Sequence, residues 1–496
     1  MENFDIVNPD PGAMIEALRA FGYNLGTSIA DIVDNAIWAN ATDIWIDFTW
    51  NGENSTISIK DNGRGMSSSD LLNAMRPGSK NPLEDRDLND LGRFGLGLKT
   101  ASFAQCRKLT VGSKIRGEEI RIRCWDLDYI NQCHEWRLVD IDPLHADEIF
   151  SQLKSQSCGT IVLWNSIDRI VKGFDTRNST HENLFYEQID LVKYHLSMVF
   201  HRFLERKNPI HISINNRPIS PWDPFLKGHP STQHLPEERV IISGQRISIK
   251  PFILPHRSKL DDRSYEKGGG PGGWHLRQGF YIYRSGRLIV PGDWLGLGFR
   301  KEEFTKLARI QVDLPNSLDQ EWNIDVKKST ARPPASSREE FRRIARLTID
   351  KAIAIYKHRG KVAGHGRSES FYYPWETGIK NGEYFYRINR SYPLVKELIE
   401  DSDEYGKKIR VLLRIIEETV PTPLIVLKSS RSPDIQRKPF ENSPTEELKY
   451  VMEAMWCALI RSGVPASEAG NRLLNTEPFS DYPEYTASFI ELKSRR

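Results

Sequence analysis

Residues 91–102 read LGRFGLGLKTAS. Glycines at 92, 95 and 97 precede a helix expected to begin near residue 97, with Lys99 and Thr100 in its first turn. The free N–H groups of a helix start, its macrodipole and a lysine together make an anion site. One glycine-rich turn is common in proteins, so its meaning depends on what stands upstream.

Upstream lies Asp61-Asn62-Gly63-Arg64-Gly65-Met66, directly after the strand-like TISIKD of 56–61. A buried aspartate at a strand end can accept a hydrogen bond from an adenine amino group, a charge-assisted contact of about 1.5–3 kcal/mol. Gly63 and Gly65 let backbone approach a flat ring closely. Further upstream is SIADIVDN, residues 28–35. Ile29, Ile32, Val33 and Ala36 follow the spacing of an amphipathic helix, and Asp31 and Asn35 stand four apart on its other face. Asn35 can offer an oxygen to Mg²⁺, and Asp31 can accept a proton from water. Alone, DNGRG is also an Asx or β-turn, and Asp31 with Asn35 is also a solvated polar pair. The three clusters in this order are hard to obtain by chance.

At 496 residues the chain exceeds the size of one hydrophobic core, so two or three domains are expected. Its 39% hydrophobic and 27% charged content is that of a soluble globular protein, and a net charge of +3 is too small to imply a nucleic-acid partner. MENFDIVNPDPG at the start has neither the basic residues nor the apolar run of a signal peptide. No apolar stretch approaches the ~20 residues of a membrane span, so a cytoplasmic location without a membrane partner is expected. The five cysteines form no CxxC pair, and Cys124, Cys133, His134 and Cys158 fit no standard zinc spacing.

Strands are expected at 43–50, 56–61, 108–114, 118–127 and 159–165, the first two joined through Asn51-Gly52 as a hairpin. A helix over roughly 183–206 leads to a second mixed region, with strands at 211–219, 280–290 and 308–314. Ser337-Arg338-Glu339-Glu340 predicts a capping box opening a helix whose Phe341, Ile344, Ala345, Thr348 and Ile355 share a face. GGGPGGW (268–274) lacks the GK[ST] of a phosphate loop and is expected to be a mobile surface loop. GKVAGHGRSES (360–370) is the linker candidate, and 371–496 carries no recognisable chemical motif.

The three clusters resemble the GHKL ATPases, the superfamily of gyrase B subunits, heat-shock chaperones, histidine kinases and MutL. Asn35 matches the family's magnesium asparagine; Asp61, Gly63 and Gly65, with Met66, match its adenine motif. Gly92, Arg93, Phe94, Gly95, Leu96, Gly97, Lys99 and Thr100 match its phosphate motif, after an ATP lid at 76–91, and Gly159-Thr160 matches its fourth motif. LGRFGLGLKTAS and CGTIVLWN look most like MORC proteins and their bacterial relatives. WNIDVKK (322–328) resembles the transducer loop that sends a basic residue to the γ-phosphate, a role open to Lys327 or Lys328.

The resemblance implies an α/β fold, an α+β sandwich with a mixed, mainly antiparallel sheet. It implies an ATP-binding domain over 1–180, a connecting helix and transducer-like α/β domain over 181–360, and a mostly helical region over 361–496. ATP and Mg²⁺ are the implied cofactors. Asp31 stands where the hydrolysing members carry glutamate, and its carboxylate would sit about 1.5 Å back, so slow hydrolysis is expected. With the nucleotide helix starting near residue 26, no phosphoacceptor helix pair is expected before it. The implied mechanism is an ATP-dependent homodimer acting as a clamp on DNA or a DNA-processing partner, in phage defence or a restriction-type system. A chaperone-like ATPase with a protein client and a non-hydrolysing ATP sensor are the alternatives.

Overall fold

The computed structural model describes residues 9–357 apart from 21, 79–96, 320 and 323–330. It also describes 374–494 apart from 381–382, 401–402, 423, 426–445, 475, 477–478 and 480–481. The chain divides into two compact units, Met1–Ala352 and Ile353–Arg496.

Alternation builds the first sheet. In β1 (Asp43–Thr49), Ile44, Ile46 and Phe48 are buried while the residues between them are partly or fully exposed. β2 (Thr56–Asp61) pairs with it antiparallel, Ile44 opposite Asp61 and Thr49 opposite Thr56. The turn between them is held by Ser55, whose hydroxyl donates to Gly52 O at 2.7 Å and accepts from the Asn51 N–H at 2.8 Å. β3 (Lys108–Lys114), β4 (Arg121–Asp126), β5 (Val139–Ile141) and β6 (Gly159–Asn165) complete the antiparallel part. With β7 (His211–Ile214) and β8 (Arg217–Pro218), the full order is β5-β4-β3-β6-β2-β1-β7-β8.

The last two strands correct an expectation. The stretch 211–219 is not one strand of the second region. It is a tight hairpin, β7 (His211–Ile214) and β8 (Arg217–Pro218), with Asn215 and Asn216 at φ 45° and 62°. β7 lies parallel to β1 in the first sheet, and Asn215 Oδ1 accepts the Phe48 N–H at 2.8 Å. Two asparagines tolerate the left-handed conformation that such a turn needs.

Helices cover one face of this sheet. α1 (Pro11–Arg19) is capped by Asp10, whose side chain accepts the Ala13 N–H. α2 (Leu25–Trp38) opens on a capping box between Asn24 and Thr27. α3 (Ser68–Met75), α4 (Gly97–Phe103), α5 (Leu127–Cys133), α6 (Asp168–Val171) and α7 (Ser179–Val199) follow. Ile29, Val33, Ile46, Ile59, Phe103, Trp164 and Leu196 share the core beneath them. The expected long helix over 183–206 is α7 followed by a separate α8 (His201–Glu205).

A six-stranded second sheet follows: β9 (Gln233–His234), β10 (Glu238–Ile242), β11 (Gln245–Ile253), β12 (Gly279–Arg284), β13 (Arg287–Asp293) and β14 (Ala308–Leu314). The expected single strand at 280–290 is a hairpin instead. Ser285 and Gly286, at φ 48° and 85°, form its two-residue turn, and Arg284 opposes Arg287. GGGPGGW is packed rather than a free surface loop. Gly268 and Gly269 end a short helix, and a Cβ on Gly270 would lie 2.3 Å from the Trp222 ring. A further helix, Arg338–Lys357, buries Phe341, Ile344, Ala345 and Thr348. The Ser337 hydroxyl there donates back to Pro334 O at 3.1 Å instead of forming the expected capping box.

The second unit holds a hairpin (Trp375–Lys380 with Glu383–Ile388) and helices at Pro393–Glu400, Asp403–Glu418, Glu446–Arg461, Ala466–Leu474 and Pro483–Ser494. Leu448, Met452, Leu459, Leu473 and Phe479 form its core. The linker candidate 360–370 lies outside the described residues.

Candidate active site

β2 ends on Asp61, and the β2–β6 register sets Thr160 directly opposite it. The backbone N–H of Gly63 donates to Asp61 Oδ1 at 2.8 Å. Burial pushes the Asp61 carboxyl up to about 6, and the N–H groups of Gly63 and Thr160 pull against that rise. Asn62 faces away from this carboxylate and anchors the turn, its Oδ1 accepting from the Thr42 and Asp43 N–H groups at 2.9 and 3.0 Å.

Ser113, on β3, ties the pieces together. Its hydroxyl accepts the Met66 N–H at 2.8 Å and lies 2.9 Å from the Thr160 hydroxyl. Gly65 has φ 71°, and a Cβ there would lie 2.0 Å from Lys114 O. A Cβ on Gly63 would lie 2.8 Å from that of Ala39. Both glycines therefore have an internal reason to be glycine, apart from any ring above them.

α2 connects this end to a second cluster. At its C-terminal end, Ala39 O accepts the Arg64 N–H at 2.9 Å, so the helix abuts the DNGRG turn. Two turns back, Asp31 is buried, and the start of α4 lies beside it. A Cβ on Gly97 would stand 3.8 Å from Asp31 Oδ2, with nothing nearer among the described residues. Asp31 and Ala39 are eight residues apart along the helix, about 12 Å. The first and third sequence clusters thus meet at the middle of α2, and the second packs on its C-terminal end.

Asp31 does not share a solvated face with Asn35. Asn35 is exposed, whereas Asp31 is 3% exposed and engaged on both oxygens. The Tyr23 hydroxyl donates to Oδ2 at 2.9 Å, and the Arg287 guanidinium lies 3.2 Å from Oδ1. Arg287 also pairs with Asp34, and all three charged side chains are under 5% exposed. Burial, then the neighbouring Asp31 charge, pushes the Tyr23 phenol up, so it stays a proton donor. Lys99 is buried as well, and its ammonium donates to Ala74 O at 2.9 Å, at the end of α3. Thr100 is buried beside it.

Gly92, Arg93, Phe94, Gly95, Leu96, Lys327 and Lys328 lie outside the described residues. Four site neighbours escape a reading of the sequence: Tyr23, Asp34, Ser113 and Arg287. Ser113 is one polar residue in an alternating strand, and Arg287 is 256 positions from Asp31, so no local pattern marks either.

Residues 23–160 match the family model of histidine kinase-, DNA gyrase B- and HSP90-like ATPases. This segment is a GHKL-type ATPase domain. It spans both ends of α2, the DNGRG turn, the start of α4 and Thr160. The DNA mismatch repair protein MutL of Thermosipho melanesiensis is 36% identical over 96 residues, 19% of this chain and 17% of that protein. ATPase morc-1 of Caenorhabditis elegans is 33% identical over 91 residues, 18% of this chain and 10% of that protein. The chain thus aligns with less than a fifth of either relative's length. Among the described residues, no helix is long and apolar enough to cross a membrane.

Proposed function

We propose that this GHKL protein binds ATP with Mg²⁺ and hydrolyses it slowly, as a nucleotide-gated homodimeric clamp on DNA or on a DNA-processing partner. One observation carries the nucleotide reading. A single helix, α2, sets Asp31 at its middle against the start of α4 and packs its C-terminal end on the turn that holds Asp61. Asp61 then accepts the adenine amino group, with Gly63, Gly65 and Met66 beneath the ring and Thr160 beside the carboxylate. The loop from Gly92 to Gly97, with Arg93, Phe94, Gly95, Leu96, Lys99 and Thr100, cradles the phosphates. Lys99 must leave Ala74 O to reach them.

The donor set suits a magnesium ion held chiefly by substrate phosphates. Asn35 is exposed, and among the described residues its side chain makes no hydrogen bond, while Asp31 and Asp34 are already paired with Arg287. Asn35 would hold the ion, which neutralises phosphate charge when bound. Asp31, beside the start of α4, is the proposed general base. Lys327 or Lys328 is proposed to meet the γ-phosphate.

The clamp rests on the likeness of 96 and 91 residues of the chain to a mismatch-repair protein and to a MORC ATPase, and phage defence or a restriction-type system is the role proposed for it. The test is ATP turnover with sizing, with and without duplex DNA and a non-hydrolysable analogue. Asp31→Asn is expected to bind ATP and lose turnover, and DNA is expected to stimulate the wild type with a steep salt dependence. A monomer under every condition contradicts the clamp. A second reading is a non-hydrolysing sensor, since Asp31 stands where the hydrolysing members carry glutamate. Wild-type turnover equal to that of Asn35→Ala, with ATP still bound, would select it.

A further inference from the structure

Arg287 opens β13, directly after the Ser285-Gly286 turn, and its side chain crosses from the second sheet to α2. It passes the Phe200 ring, whose centroid is 5.8 Å from the guanidinium carbon, and the buried His195 of α7. On α2 it meets Asp34 and Asp31. The turn that launches it is itself held. Arg284 Nε donates to both oxygens of Asp319 at 2.8 and 2.9 Å, and the Ser285 hydroxyl donates to Asn316 Oδ1 at 2.6 Å. A rigid hairpin tip therefore delivers one guanidinium to the carboxylate of the ATPase domain that stands next to Gly97.

A structural ion pair with Asp34 alone would account for a link between the sheets. It would not account for the second contact. Asp31 is clamped from two directions, by Tyr23 on Oδ2 and by Arg287 on Oδ1, from elements 8 and 256 residues away. An aspartate has two side-chain torsions, and a short base tolerates little angular error, since a misplacement of ~1 Å costs on the order of a hundredfold in rate.

We propose that Arg287 is a positioning residue for ATP hydrolysis: with Tyr23 it fixes the plane of the Asp31 carboxylate, so that turnover requires the second sheet to be docked on α2. This rests on the ATPase reading above. Arg287 is 3% exposed and engaged with Asp31 and Asp34, so its loss is expected to act on kcat and to leave the affinity for ATP, proposed to be set at Asp61 and the phosphate loop, nearly unchanged.

The experiment compares wild type, Arg287→Met, Arg287→Lys and Asp34→Asn in the full chain, measuring ATP affinity, kcat, KM and melting temperature. Arg287→Met is expected to lower kcat on the order of a hundredfold at nearly constant KM. Arg287→Lys should recover part of it, because a lysine brings the charge without the planar fork. Asp34→Asn should lower the melting temperature and keep kcat within a few-fold of wild type, because Asp31 then keeps the whole guanidinium. Arg287→Met and Asp34→Asn alike in melting loss, both with wild-type kcat, would overturn the proposal and leave the ATPase reading standing. If Arg287→Met does not fold, Arg287→Lys with undiminished kcat overturns it in the same way. A wild type that binds ATP and never turns it over overturns the hydrolytic reading and this inference together.

Discussion

Asp61 carries a burial cost at the end of β2. It is 8% exposed, and two backbone N–H groups do not offset the loss of water around its charge. The carboxyl carbon of Asp61 should therefore titrate near 6 by NMR in the free protein. ATP should lower that midpoint, because an amino donor favours the ionised form. An unshifted midpoint near 4 in the free protein would contradict the burial argument. The same group makes stability depend on pH. Its folded value lies above its unfolded one, so its contribution is full below about pH 4 and is lost as pH rises through about 6, a loss on the order of 3 kcal/mol. Asp61→Asn should remove that slope from urea melts taken between pH 4 and 7.

Two glycines show what an element demands beyond its dihedral angles. Gly65 and Gly117 both have positive φ, at 71° and 84°. An added Cβ would strike Lys114 O at Gly65, 2.0 Å away, whereas among the described residues nothing lies within 4 Å at Gly117. Alanine at Gly117 should cost about 1 kcal/mol, the left-handed strain alone. Gly65→Ala should cost several kcal/mol or displace the 61–66 turn, and ATP binding should fall with it. Denaturant melts and nucleotide titration of the two variants, side by side, separate strain from clash. The hairpin tip at 284–287 belongs to the same scale, for its two-residue turn aims Arg284 and Arg287 at different partners.

Across the whole first unit, the junction of α2, α7 and the second sheet buries a histidine. His195 Nε2 has no hydrogen-bond partner among the described residues, and a Cβ on Gly26 would lie 3.0 Å from the ring. Burial first, then the charges of Arg287 and Arg277, pushes His195 down to about 4. The unfolded chain takes up this proton near 6.5 and the folded one does not. Stability from this group is therefore full above about pH 6.5 and falls as pH drops towards 4, by about 3 kcal/mol. His195→Gln should flatten the acid side of the stability curve, measured by urea unfolding at pH 4.5 and 7. The unit boundary at 352/353 carries a further expectation. A fragment of residues 1–357 should melt cooperatively and bind ATP with the affinity of the full chain. An unfolded fragment would show that the second unit is needed for stability.

The bounds of several strands in both sheets are legible in the sequence. TISIKD, KLTVGSK, GTIVLWN and ARIQVDL become strands over the residues read, because alternation and flanking turn residues act within a few positions. So are the three clusters, since each spends its glycines, carboxylates and lysine on one local backbone shape. Tertiary structure alone decided which strands are neighbours. β7 lies against β1, across the span from Asp43 to His211, although proximity in sequence pointed to the second sheet. GGGPGGW looks like a free loop until Trp222 and Trp274 close on it. Asp31 was legible as a candidate base, and its relation to Asn35 was not. Helical spacing places two side chains on a face, but burial depends on what docks there, and what docks is an arginine 256 residues downstream. Contacts of that separation leave no period in the chain, because they are set by the packing of two sheets around one helix.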